Sequence, residues 1–239
     1  MYLWKCWRDT RSAFFVLVGT ILALGAFAGY VALDPFGWIA AKPLDWRVVW
    51  QTTAGGMVIT MLGMVPMAGF LLGALGVGME FEKGTADFLL TRPRAHRYFL
   101  WTSWSLGAAQ MAALVLVSHA VQFTRLDAHH FGSLRGFSQS CAAYCAVALV
   151  LYTVTYLMTT LTRNSKYGAA FGVATFMAYT GLTFWLLLWH DMRVPFLHEL
   201  VFDPGHMGDG FPPSALLGWL LVSLAMVVAA QFSFERAEV

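Results

Sequence analysis

Long charge-free runs alternate with short polar ones along this chain. Six runs, Ala13 to Leu33, Gly55 to Met79, Phe99 to Val121, Phe137 to Leu161, Tyr167 to Trp189 and Ser214 to Phe234, hold no Asp, Glu, Lys or Arg. Each meets the about 20 apolar residues that a helix needs to cross hydrocarbon, where an exposed backbone has no water to bond and must be satisfied internally. The pattern predicts an all-α integral membrane protein, with six transmembrane helices in a single domain over residues 1–239. An even number of crossings places both termini on the same side.

The polar runs between these spans have patterns of their own. Within residues 1–12, Leu3, Trp4 and Trp7 recur at helical spacing and lead on to Phe14 or Phe15, while Lys5, Arg8, Asp9 and Ser12 turn elsewhere. This pattern predicts an amphipathic elbow helix lying in the interface, with Trp4, Lys5, Trp7 and Arg8 as its anchoring residues. Two plainer readings compete: a flank whose cations only enforce orientation, and a signal peptide ending near Ala26 to Ala28. Removal of a signal peptide would leave an odd number of spans. A second polar run, within 80–98, is dense in charge, and a third, 190–213, mixes apolar residues with His198, Glu199, Asp203, His206 and Asp209.

Composition agrees with this pattern: 59% of residues are hydrophobic, 12% are charged and the mean hydropathy is +0.63. Soluble domains carry about 25% charged residues. The net charge of +2 gives no basis for a nucleic-acid partner, so the placement of the cations matters more than their sum. With the N terminus inside, Lys5, Arg8, Arg11, Lys83, Arg92, Arg94, Arg97, Arg163, Lys166 and Arg236 lie inside. Only Lys42, Arg47, Arg125, Arg135 and Arg193 lie outside. Positive residues collect on the cytoplasmic side, so the 80–98 run faces the cytoplasm, and the expected location is the cell inner membrane with both termini cytoplasmic.

The spans carry little chemistry. His119 is their only ionisable side chain besides cysteine and tyrosine, and it sits near the outer end of its helix. Proton-coupled transport usually places Asp, Glu or His at mid-depth, haem ligation needs paired ligands, and an intramembrane hydrolase needs a nucleophile with a base. None of these patterns is present. The three cysteines form no disulfide framework; Cys141 and Cys145, one helical turn apart, read first as packing and second as half of a soft-metal site. The chain also lacks the G-x-x-x-x-G-K-[ST] loop that cradles nucleotide phosphates. The energy source is therefore expected in a separate subunit, with sodium coupling through carbonyls and hydroxyls as the alternative. Gly25 with Gly29 and Gly69 with Gly73 are small-xxx-small pairs, suited to packing within the chain or to a dimer face.

The run within 80–98 has an internal order. Glu80, Glu82 and Lys83 precede Gly84, which breaks one helix, and Thr85 can cap the next. Leu89 and Leu90 give that helix an apolar side, and Arg92, Pro93 and Arg94 end it. In this order the sequence resembles the transmembrane permease subunits of ABC transporters of the type 2 exporter kind. Their loop between spans two and three runs from an acidic residue through Gly-Thr and Leu-Leu to a Pro and a basic residue. The run at Arg94 to Tyr98, RAHRY, departs from that family's usual small residue and single cation.

The resemblance implies a cytoplasmic coupling helix between helices 2 and 3. Its ATPase-coupling residues would be Glu80, Glu82, Gly84, Thr85, Leu89, Leu90, Arg92, Pro93 and Arg94. It also implies an exporter in which this chain does no bond chemistry and has no cofactor of its own. ATP and magnesium would bind a cytoplasmic ATP-binding cassette ATPase, and a second permease, identical or paralogous, would complete the pathway. Residues 190–213 would form an extracytoplasmic re-entrant segment, and spans two and five would supply substrate contacts. Two readings from other classes stand beside it: a membrane enzyme or metal-handling protein using the outward histidines, and a scaffold that transports nothing.

Overall fold

In the computed structural model, every regular element among the described residues is a helix. Those residues are 2–33, 37, 41, 64–65, 67–83, 95–125, 134–190 and 213–236. The helices are α1 (Tyr2–Leu33), α2 (67–82), α3 (Ala95–Arg125), α4 (Leu134–Thr162), α5 (Ser165–His190) and α6 (Pro213–Arg236). Four stretches among them are long and apolar enough to cross a membrane: Leu3–Val31, Arg97–Val121, Cys141–Thr162 and Leu217–Glu235. The chain is thus a multi-pass membrane protein. The helix α5 encloses the whole expected 167–189 run, while the expected second span is described only from residue 64 inward, without Pro66.

The central element is α4, which packs on α3, α5 and α6. Its inner half is rich in polar side chains, which an apolar interior tolerates only when each is hydrogen-bonded. Thr153, Thr155, Thr159 and Thr160 donate back to the carbonyls of Leu149, Leu151, Thr155 and Tyr156, at 2.7, 3.0, 2.8 and 2.8 Å. This back-bonding lets hydroxyls line a buried helix without needing another chain segment. Tyr152 and Tyr156, both fully buried, reach across to α3, where Tyr156 donates to the Leu100 carbonyl at 2.9 Å. Trp104 of α3 returns a bond to Thr153 at 3.1 Å.

Between α4 and α5 the chain reverses within two residues. Arg163 takes a left-handed conformation (φ 52°), and the Asn164 side chain accepts from the backbone N–H groups of Lys166 and Tyr167 at 2.9 and 3.2 Å. Asn164 is therefore the N-cap of α5, satisfying donors that the first helical turn leaves open. Asn164→Ala is expected to lower stability by about 1 kcal/mol, read as a shift in detergent-phase thermal unfolding.

The N terminus departs from the sequence-based expectation. Residues 1–12 were expected as an elbow ahead of a span beginning at Ala13, whereas α1 is one uninterrupted helix from Tyr2 to Leu33. No Gly or Pro occurs before Gly19 to break it, and the rings of Trp7, Phe14 and Phe15 contact one another across the expected junction at 5.6 to 5.9 Å. One face of this first part is already inside the bundle. Cys6 and Thr10 are buried, and Gln110 of α3 donates to the Thr10 hydroxyl at 2.9 Å. Leu3 and Trp4 remain exposed on the other face.

Candidate functional site

The polar run that interrupts the apolar pattern is described at its two ends, the last turn of α2 and the first turn of α3. Both roots are described, and both are cross-linked to distant helices. At the first root, Lys5 of α1 donates to Glu80 at 2.6 Å; the Glu80 side chain is 2% exposed and that of Lys5 30%. Lys83 donates to Asp9 at 3.3 Å, and the Arg8 Nε lies 4.0 Å from the same carboxylate oxygen. Lys83 also sits at the negative end of the α2 dipole, where a cation is favoured. Glu82 accepts a hydrogen bond from Ser165, the first residue of α5.

At the second root, Arg97 of α3 donates to Glu235 of α6 at 2.9 Å. Gln231 donates to the same Glu235 oxygen at 2.9 Å and accepts from Trp101 at 3.0 Å. Beneath this layer the Phe234 ring lies 5.9 Å from Phe81 and 6.3 Å from Phe99, so one aromatic side chain of α6 touches both roots. Side-chain bonds thus join α1, α2 and α5 at the first root and α3 and α6 at the second, and the Phe234 ring contacts connect the two groups.

These links differ in strength. The Arg97 side chain is 72% exposed, and an exposed ion pair contributes at most about 1 kcal/mol. The Lys5–Glu80 pair is partly withdrawn from water, so each charge depends more heavily on the other. What the arrangement can do is mechanical: displacement of either root pulls on helices far away in sequence.

Of the residues singled out in the sequence, Trp4, Lys5, Trp7, Arg8, Glu80 and Glu82 are described, and Lys5 is brought onto Glu80. Glu80, expected among the coupling residues, is buried in the bundle and paired with Lys5. Gly84, Thr85, Leu89, Leu90, Arg92, Pro93 and Arg94 lie outside the described residues, as does nearly all of the 190–213 segment. Sequence reasoning did not single out Asp9, Ser165, Gln231 or Glu235. The local signs are the place of Asp9 on the polar side of the first residues and the helical i, i+4 spacing of Gln231 and Glu235.

Away from the roots, His119 is buried, with Nδ1 3.0 Å from the Val115 carbonyl and its ring edge-on to Tyr144 at 4.9 Å. Cys141 and Cys145 are free thiols. Among the described residues, no three His, Cys, Asp or Glu side chains are grouped to hold a metal ion.

Apolar helices of spanning length, tied together at a charged end, define an all-helical multi-pass membrane protein. Residues 43–239 match the model of a family described as a protein of unknown function (DUF2705), and the chain belongs to that family. No curated protein and no solved structure matches the chain.

Proposed function

We propose that the chain is the permease subunit of an ATP-driven ABC exporter in the cell inner membrane. It spans the bilayer six times, has both termini in the cytoplasm, and pairs with a second permease and two cytoplasmic ATPase subunits. The permease itself performs no bond chemistry; ATP and magnesium bind the partner. The run from Glu80 to Arg94 receives the ATPase motion through a coupling helix, with Gly84 and Thr85 opening it, Leu89 and Leu90 facing the partner, and Arg92, Pro93 and Arg94 closing it. Trp4, Lys5, Trp7 and Arg8 form the cytoplasmic part of α1 that moves with it.

One observation supports this reading above the others: both roots of the run are bonded to other helices, through Lys5–Glu80, Asp9–Lys83 and Ser165–Glu82 on one side and Arg97–Glu235 on the other. A solvated connector needs no such frame, whereas a transmission element does, because force applied to a loop moves helices only where the loop's ends are fixed to them. The order Glu82, Gly84-Thr85, Leu89-Leu90, Pro93-Arg94 adds the sequence argument.

The test is purification of the intact complex from native membranes in mild detergent, followed by reconstitution. A stoichiometric ATP-binding partner is expected. Leu89→Asp is expected to reduce its recovery by roughly tenfold, as removal of a central apolar anchor does at protein interfaces. Gly84→Trp is expected to leave the chain inserted while uncoupling ATP hydrolysis from transport. Normal partner recovery and normal transport in both variants would overturn the coupling role.

A further inference from the structure

A lateral cavity of about 200 Å³ opens between α4, α5 and α6, away from the polar end of the bundle. Its wall includes Val150 and Val154 from α4, Phe176 and Tyr179 from α5, and Trp219 and Met226 from α6. The hydroxyl of Thr175, which also lines it, is committed to the Phe171 carbonyl at 2.8 Å and does not offer a donor to a guest. Tyr179 and Trp219 meet edge to face at 6.3 Å and brace the wall where α5 approaches α6.

A cavity so lined does not hold water, because a water molecule needs two to four polar partners. Left empty, its walls would forfeit the dispersion contacts that a packed interior makes. The same helices present further apolar surface outward: Met177 and Leu182 on α5 and Leu217, Leu220 and Leu224 on α6 are exposed. Those of α6 lie in a stretch long and apolar enough to cross a membrane, and α5 packs with α6 on α4, so in a bilayer the medium against them is acyl chain. We propose that this cavity is a binding site for one acyl chain of a membrane phospholipid, held between α4, α5 and α6 as an integral part of the bundle. The recognition is by shape and apolarity alone, with the headgroup outside the cavity. The site is independent of the coupling role and of any transported cargo.

The experiment uses the full chain, purified in mild detergent with phospholipid quantified after exhaustive washing, and in parallel reconstituted into bilayers of phosphatidylethanolamine and phosphatidylglycerol with dibrominated acyl chains. The wild type is expected to retain phospholipid through washing, and Val150→Phe and Met226→Phe, which fill the cavity, to retain roughly fivefold less. Bromine quenches nearby indole fluorescence. The signal of Trp219, isolated as the difference between wild type and Trp219→Phe, is therefore expected to stay quenched after dilution into excess unbrominated lipid. That second readout holds even where a filling variant fails to fold. Equal retention by well-folded filled variants overturns the proposal, as does Trp219 quenching that is lost as fast as that of the exposed tryptophans. A filled variant that changes oligomeric state while keeping its lipid also overturns it, since the cavity would then seat a second copy of the chain.

Discussion

Lys5→Met is expected to destabilise the helical bundle by roughly 3 kcal/mol, the lower end of what is lost when one partner of a buried ion pair is removed. The substitution keeps the length of the side chain and its apolar stem but deletes the ammonium 2.6 Å from a carboxylate that is 2% exposed. Glu80 cannot compensate by turning to water, because it lies on the inner side of α2 with Leu72 and Val77, two residues of the buried core. Double-mutant reasoning separates the charge effect from packing: Lys5→Met with Glu80→Leu removes both charges and is expected to recover most of the loss. The measurement is detergent-phase thermal unfolding of the two single variants and the double variant. If the double variant is as unstable as the sum of the singles, the two residues are not coupled.

The contrast with Arg97 follows from exposure alone. Both Lys5 and Arg97 bond a carboxylate of another helix near the same end of the bundle, yet Arg97 is 72% exposed and its loss is shared by water. The buried pair is therefore what fixes the start of α1 against the end of α2, and through it the first root of the polar run.

Four of the expected spans were readable from the sequence because hydrocarbon imposes a strong rule: a charge at mid-depth costs several kcal/mol, so its absence marks a helix. The boundaries of α3, α4 and α6 fall within a few residues of the charge-free runs for that reason. The start of α1 was expected as a separate elbow because its polar residues look like an interfacial face. Lys5 and Asp9 are instead matched by Glu80 and Lys83, which lie more than 70 residues away, and no local pattern announces such a pairing. The same limit applies at the second root. Trp101 lies near the start of its charge-free run, but its bond to Gln231 depends on α3 and α6 lying antiparallel. The order of Gly84, Leu89 and Pro93 was legible as a motif, and these residues lie outside the described ones.

Glycine spacing was visible too, though not its purpose, and the second large expected effect rests there. Gly69 and Gly73 could have served a dimer face, but they meet α4 of the same chain. A Cβ on Gly73 would stand 2.7 Å from the Tyr152 carbonyl oxygen and 2.9 Å from Thr155 Cβ. From the other side, Gly168 and Gly172 of α5 bring their backbone against Thr159 and Thr155, so that Thr155 lies where α2, α4 and α5 converge. Backbone atoms cannot step aside as a flexible side chain can, so Gly73→Ala is expected to cost about 1–3 kcal/mol and Gly73→Leu to separate α2 from α4. Gly69→Ala is expected to cost less, since its Cβ would find the Ala148 oxygen and the Tyr152 nitrogen at 3.3 Å. Gly19 is the control. It lies within α1 with nothing within 4 Å, so Gly19→Ala is expected to stabilise by about 0.5–1 kcal/mol through helix propensity alone. Thermal unfolding of the four variants tests the ranking, and a Gly73→Ala protein as stable as wild type would remove the case for backbone contact between α2 and α4.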